Sequence, residues 1–291
     1  MIKVDRRPDG IAVVAIDNPP VNALTTPVFI ALQTLAESFA AHPPAAVVLT
    51  GSSDVFAWGG EFSEIRRLRF TGRTDIAPRE IEAVVEETSA DAYVSQLGDK
   101  YHAVFEAVAA IPRMVVCAIE GVAFGGGLEL TLCADYRIAS RGALFASPEV
   151  TLGMSTIGGG PYRLPRLVGN AQAKRIMLSG IEIDAEEALR IGLIEEVVEP
   201  GTALDRAIEF AKPFADAACR SQGLLKRVID VGMDLPKAEA LRFEHEMWRE
   251  SFRSEEAREG LRKFFSQGNV TEALAHEKIK NGETCGAAGN R

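Results

Sequence analysis

Three consecutive glycines, Gly125 to Gly127, stand in the stretch EGVAFGGGLEL (120–130), with the carboxylate of Glu129 two residues beyond them. A second stretch, VFAWGGEF (55–62), pairs Gly59 with Gly60, and a third, ASPEVTLG (146–153), sets Glu149 directly after Pro148 in what reads as extended backbone. Glycine lets a ligand approach backbone N–H groups with no Cβ in the way, and the first N–H groups of a helix have no partner within it. Backbone donors near Gly60 and in the 125–127 run, with two carboxylates to hand, would hold a developing oxyanion and move protons, which is what an enolate needs. Taken singly, each feature has a plainer account: glycines that pack a helix on a strand, Glu129 favouring a helix dipole, Glu149 a solvated loop acid. Two phosphate-binding motifs are excluded by spacing. GxGxxG begun at Gly125 would need glycine where Leu130 stands, and GxxxxGK[ST] would need a lysine beside the run.

The elements that must position these residues follow from periodicity. GIAVVAI (10–16), AAVVLTG (45–51), MVVCAIEG (114–121) and YRIAS (136–140) are short runs rich in β-branched residues and closed by turn formers, so they read as strands. Helical spacing predicts one helix from Thr26 to Ala40, with Val28, Leu32, Leu35 and Phe39 on one face, and another from Asp99 to Ile111, with Tyr101, Val104, Phe105, Val108 and Ile111 together. Alternation of the two implies an α/β layer with strands buried on both sides. In IDAEEALRIG (183–192), Asp184 and Glu187 have capping-box spacing and Gly192 can close the helix, after which LIEEVV (193–198) reads as a strand. From Gly201 onward only helices are expected, those over Arg242–Phe252 and Ser254–Phe265 being amphipathic. A boundary near Pro200 divides a core, 1–200, from a helical region, 201–291, whose polar end (281–291) reads as a frayed tail.

Composition narrows the class. The 291 residues are 47% hydrophobic and carry a net charge of −9 with acids and bases interleaved, which fits a soluble globular protein and argues against a nucleic-acid or anionic-membrane surface. Cys117, Cys133, Cys219 and Cys285 have no CxxC spacing, and His42, His102, His245 and His276 form no HExxH, so neither a disulfide framework nor a metal site is expected. The start, MIKVDRRPDG, lacks a signal peptide's apolar core and no run is long enough to cross a bilayer, so the expected location is the cytoplasm.

NPPVNAL (18–24), VFAWGGEF, EGVAFGGGLELTLCADYRIAS (120–140), FASPEVTLG (145–153) and SGIEIDAEEALRIGLIEEVV (179–198), in this order, resemble the enoyl-CoA hydratase/isomerase, or crotonase, superfamily. The likeness covers most of residues 1–200 and continues more weakly to about Phe265. It implies a spiral α/β core of repeated ββα units followed by a helical region, an acyl-CoA substrate with coenzyme A as part of it and no separate cofactor, and a homotrimer or a hexamer of two trimers. It implies that the N–H groups of Gly60 and Gly126 bind the thioester oxygen, that Glu129 and Glu149 flank the reacting water, and that Trp58, Gly59, Phe62 and Gly125 surround the substrate. Three activities fit: a hydratase adding water to a 2-enoyl-CoA, an isomerase working with Glu149 alone, and a non-catalytic acyl-CoA-binding protein.

The chain departs from that pattern in places. Trp58 stands where relatives carry a small residue, Gly60 where alanine is usual and Glu61 where aspartate is usual. The segment from Arg66 to Lys100 is longer than expected, and its stretch PREIEAVVEETS (78–89) reads as an acidic amphipathic helix. The expected basic EKR after the EGLRKFF helix is missing, which leaves Arg66, Arg67, Arg69, Lys226, Arg262 and Lys263 as candidate cations for the coenzyme A phosphates.

Overall fold

The computed structural model describes residues 1–51, 55–60, 82, 86, 91–215 and 219–266. Glu61, Phe62, Arg66, Arg67, Arg69, the expected 78–89 helix, Cys285 and the terminal tail lie outside them. The chain divides into two compact units, Met1–Lys226 and Arg227–Arg291, so the first unit continues past Pro200.

The first unit begins with a hairpin, β1 (Ile2–Arg6) antiparallel to β2 (Ile11–Ile16). Its turn is set by Pro8, Asp9 and Gly10: Asp9 Oδ1 accepts the Ile11 N–H at 3.2 Å, and Gly10 has φ 81°. Parallel strands β3 (Ala46–Gly51), β5 (Val115–Ile119), β7 (Tyr136–Ser140) and β10 (Glu196–Val198) extend the sheet in the order β1-β2-β3-β5-β7-β10. A second sheet, β4-β6-β8-β9, joins β4 (Val55–Ala57), β6 (Val122–Phe124) and β8 (Leu144–Ala146), all parallel, to the antiparallel β9 (Ile183–Asp184).

Strands alternate between the sheets and each pair then feeds a helix. β3 and β4 precede α2 (Asp91–Ala109), β5 and β6 precede α3 (Gly126–Thr131), and β7 and β8 precede a 3-10 turn (Pro148–Leu152) and α4 (Gly160–Ser179). This is the repeated ββα unit the sequence leads one to expect. Both faces of the larger sheet are covered, as a parallel sheet requires. Val14, Val47, Leu49, Cys117 and Ile119 pack with Phe29, Leu32 and Phe39 of α1 (Thr26–Ala41) and with Phe105 and Val108 of α2. On the other face Ile11, Val48, Val116 and Ile138 meet Ala203, Ala207 and Ala211 of α6 (Ala203–Ala215), whose small residues at a four-residue spacing let the helix lie close.

Helix α5 (Ala185–Arg190) starts as its sequence predicts, with Asp184 Oδ1 accepting the Glu187 N–H at 2.8 Å, and Gly192 beyond its end has φ 78°. The reciprocal half of the capping box is replaced: the Glu187 carboxylate accepts from Arg190 and Arg175, at 2.6 Å each. The strand expected over 193–198 is shorter, because Leu193 and Ile194 turn into the core and bond to Ala188 O.

Helix α7 (Cys219–Gly232) spans the division between the units. In the second unit, α8 (Lys237–Phe252) and α9 (Glu255–Ser266) carry Trp248, Phe252, Leu261, Phe264 and Phe265 exposed. No described helix is long and apolar enough to cross a membrane.

Candidate active site

The glycine stretches come together where the second sheet meets α3. Gly125 bonds to Ala146 O at 2.9 Å and turns the chain with φ 53°, so that Gly126 opens the helix and Glu129 N–H closes its first turn on Gly125 O at 3.0 Å. From the other side the Gly59 carbonyl oxygen, at φ 94°, accepts the Leu24 N–H at 2.8 Å. A Cβ on Gly59 would lie 3.0 Å from Phe124 O and 3.2 Å from Gly126 N, so the two glycine segments are in direct contact. Gly60, bridged to Leu24, follows at the mouth of this junction. Trp58 packs edge-on to Phe124 at 5.6 Å and forms its flank.

Glu129, carried by α3, is 3% exposed. Its Oε1 accepts the Gly160 N–H at 2.7 Å, and the Gly158 N–H also points to the carboxyl group. Burial, helped by the nearby Glu149 carboxyl group, pushes its pKa up to about 8 against the pull of those donors. A buried carboxyl group of this kind keeps its proton at neutral pH.

Glu149 sits in a different setting. The sequence places it in extended backbone, but Pro148, with φ fixed for a helical first position, starts a 3-10 turn that ends at Gly153 with φ 74°. That turn brings Glu149 Oε1 against Gly125, at 2.5 Å from where a Cβ would stand. Glu149 Oε2 accepts from Ser147 Oγ at 2.8 Å and Thr156 Oγ1 at 3.2 Å, and the two hydroxyls are 3.0 Å apart. Thr156 reaches towards both acids: a Cβ on Gly160 would meet Thr156 Cγ2 at 3.2 Å and Glu129 Oε1 at 2.8 Å.

Five of the expected residues, Trp58, Gly59, Gly60, Gly125 and Gly126, therefore gather at one junction, with Glu149 against Gly125 and Glu129 held beside Gly158 and Gly160; Phe62 lies outside the described residues. The sequence reading missed Ser147, Thr156 and the second glycine triplet, Gly158 to Gly160, which makes room for the Glu129 carboxyl group. A Cβ on Gly158 would stand 2.5 Å from Glu129 Oε2. The triplet itself, TIGGGP (156–161), was the signal available. Among the candidate cations, Lys226 is engaged by Asp135 at 2.8 Å, while Arg262 and Lys263 pair with Glu255 and Glu259 on exposed α9.

Known proteins share this framework. The chain is 34% identical over 247 residues to the protein named probable enoyl-CoA hydratase echA17 of Mycolicibacterium paratuberculosis, covering 84% of this chain and 88% of the relative. It is 34% identical over 227 residues to the short-chain-enoyl-CoA hydratase of Clostridium acetobutylicum, covering 77% and 78%. The crystal structure of enoyl-CoA hydratase from Bacillus anthracis superposes with a TM-score of 0.77 at 27% identity, covering 91% of this chain and 96% of that one. Residues 6–271 match the family described as Enoyl-CoA hydratase/isomerase, and with the ββα repeat already traced this makes the chain an enzyme of the enoyl-CoA hydratase/isomerase, or crotonase, family.

Proposed function

We propose that this enzyme adds water across the double bond of a 2-enoyl-CoA thioester. The observation that carries the reading is the nearness of two carboxyl groups in unlike settings, Glu129 buried beside Gly158 and Gly160 and hydroxyl-bonded Glu149 set against Gly125. The names of the relatives, probable enoyl-CoA hydratase and short-chain-enoyl-CoA hydratase, support it.

Conjugation with a thioester makes the β-carbon electrophilic, and attack by water there drives charge onto the thioester oxygen. In this reading the amides of Gly60 and Gly126 receive that oxygen, each donor being worth about 3 kcal/mol to the transition state. Water must lose a proton as it attacks, and the α-carbon must gain one. Near neutral pH burial keeps a proton on the Glu129 carboxyl group. One carboxyl takes a proton from water while the other supplies the α-carbon, so the pair's proton count is unchanged but its positions are exchanged, and a proton must pass back before the next turnover. A 1,3-proton shift needs only one such group, and a buried, proton-bearing Glu129 supported by its own glycine triplet favours hydration over isomerisation.

The apolar side chains exposed on α8 and α9 support self-association, which we propose is a trimer or a pair of trimers, since Trp248 and Phe252 are each about half exposed, at 54% and 52%. The reaction is tested by incubating the enzyme with a panel of 2-enoyl- and 3-enoyl-CoA thioesters of different acyl size and following products by mass spectrometry. The expected product is a 3-hydroxyacyl-CoA formed from a 2-enoyl-CoA. A shift between 2- and 3-enoyl isomers without gain of water would replace this reading with an isomerase.

A further inference from the structure

Tyr101 is 5% exposed, on the face of α2 turned to the core, and its phenol ends against the two glycines of the junction. A side chain on Gly60 would collide with the Tyr101 hydroxyl, and a Cβ on Gly126 would meet Tyr101 Cε1 at 2.9 Å and Oη at 3.0 Å. The tyrosine thus takes the space that an alanine at position 60 would fill. It is also held rigidly: its ring packs edge-on to Phe29 at 4.6 Å and to Phe105 at 5.4 Å. Phe105 in turn reaches the carboxylate, for a single point, the Cβ position of Gly158, lies 2.6 Å from Phe105 Cε2 and 2.5 Å from Glu129 Oε2.

One wall therefore runs from the two amides, along Tyr101 and Phe105, to Glu129. We propose that Tyr101 is a specificity-determining residue that lines the acyl α-carbon and selects for an unbranched one; this rests on the thioester-binding role given above to Gly60 and Gly126. An oxygen held by both amides sits about 2.9 Å from each nitrogen. The α-carbon, two bonds away, is then only about 2.4 Å from that oxygen. The α- and β-carbons must lie between the amides and the carboxyl groups, and that interval is the one the Tyr101 phenol borders. A methyl group on the α-carbon facing this wall has no room unless the aromatic trio moves.

The test measures dissociation constants of butanoyl-CoA and 2-methylbutanoyl-CoA, unreactive saturated thioesters, by titration calorimetry with the parent, Tyr101→Phe and Tyr101→Leu. One methyl group in a tight apolar pocket discriminates by about 10- to 200-fold, so the parent is expected to bind the unbranched ligand at least about tenfold more tightly. Tyr101→Leu should bring the two affinities within about threefold of each other, and Tyr101→Phe, which removes only the hydroxyl at Gly60, should fall between; it decides the matter if the leucine variant does not fold. A parent that binds both ligands equally, a ratio unchanged in the folded variants, or an equal loss of both ligands would each overturn the role of Tyr101. Failure of the parent to bind either thioester would instead overturn the proposed function along with it.

Discussion

The backbone N–H of Gly160 donates to Glu129 Oε1 at 2.7 Å, so the first residue of α4 holds the acid that α3 carries. Two helices from successive ββα units thereby fix one carboxyl group. Glu129→Gln is nearly isosteric, and is expected to bind a saturated acyl-CoA as the parent does while losing hydration of a 2-enoyl-CoA by roughly 10² to 10⁴ in kcat, as removal of an acid–base group does. Steady-state kinetics beside calorimetric titration check it.

The same residue governs stability. Its folded proton affinity, about 8, exceeds the ordinary value of 4.5, so the unfolded chain releases its proton first as pH rises. The stabilising contribution of the neutral group is therefore complete below about pH 4.5 and is lost progressively up to about pH 8. Glutamine has no such loss. Urea unfolding should show the stability of Glu129→Gln gaining on that of the parent by roughly 3 kcal/mol between pH 4 and pH 7, at 1.36 kcal/mol per unit of pKa difference.

Activity should follow the same titration. Loss of the Glu129 proton predicts that kcat/KM of the parent falls above about pH 8. A kcat/KM profile flat to pH 10, with the enzyme still folded, would take the proton off Glu129 and out of the mechanism.

Ser147 and Thr156 both donate to Glu149 Oε2, at 2.8 and 3.2 Å. The two hydroxyls orient Glu149, so Ser147→Ala with Thr156→Val should lower kcat by about tenfold or more, and loss of two hydrogen bonds to a charged group, about 1.5–3 kcal/mol each, should lower the melting temperature as well. Glu149→Gln should lose roughly 10² to 10⁴. Equal rates in the double variant and the parent would deny the hydroxyls any part in positioning Glu149.

Much of this arrangement was legible in the chain. β2, β3, β5 and β7 are runs of five or six residues buried on both faces, and their β-branched composition identifies them. β4, β6 and β8 have three residues each, too few for any period to show, yet they carry the glycine junction. Local rules also misplace Glu149, because the 3-10 turn after Pro148 is settled by the Ser147 and Thr156 hydroxyls and by the close approach to Gly125. Tyr101 reads from sequence as one more apolar position on α2; only tertiary packing reveals that its hydroxyl, not its ring alone, meets Gly60. The proposed trimer or pair of trimers rests on exposed apolar residues of α8 and α9, and light scattering at micromolar concentration should give the mass of three or six chains, a monomer contradicting it.

The central claim is addition of water to a conjugated thioester, and oxygen tracing tests it most directly. Incubation with 2-butenoyl-CoA in ¹⁸O-enriched water should give a 3-hydroxyacyl-CoA carrying one heavy oxygen on its β-carbon, at a rate that falls in both Glu129→Gln and Glu149→Gln. Turnover of the thioester with no heavy oxygen on the β-carbon, or full incorporation by the Glu129→Gln variant at the parent rate, would contradict the account.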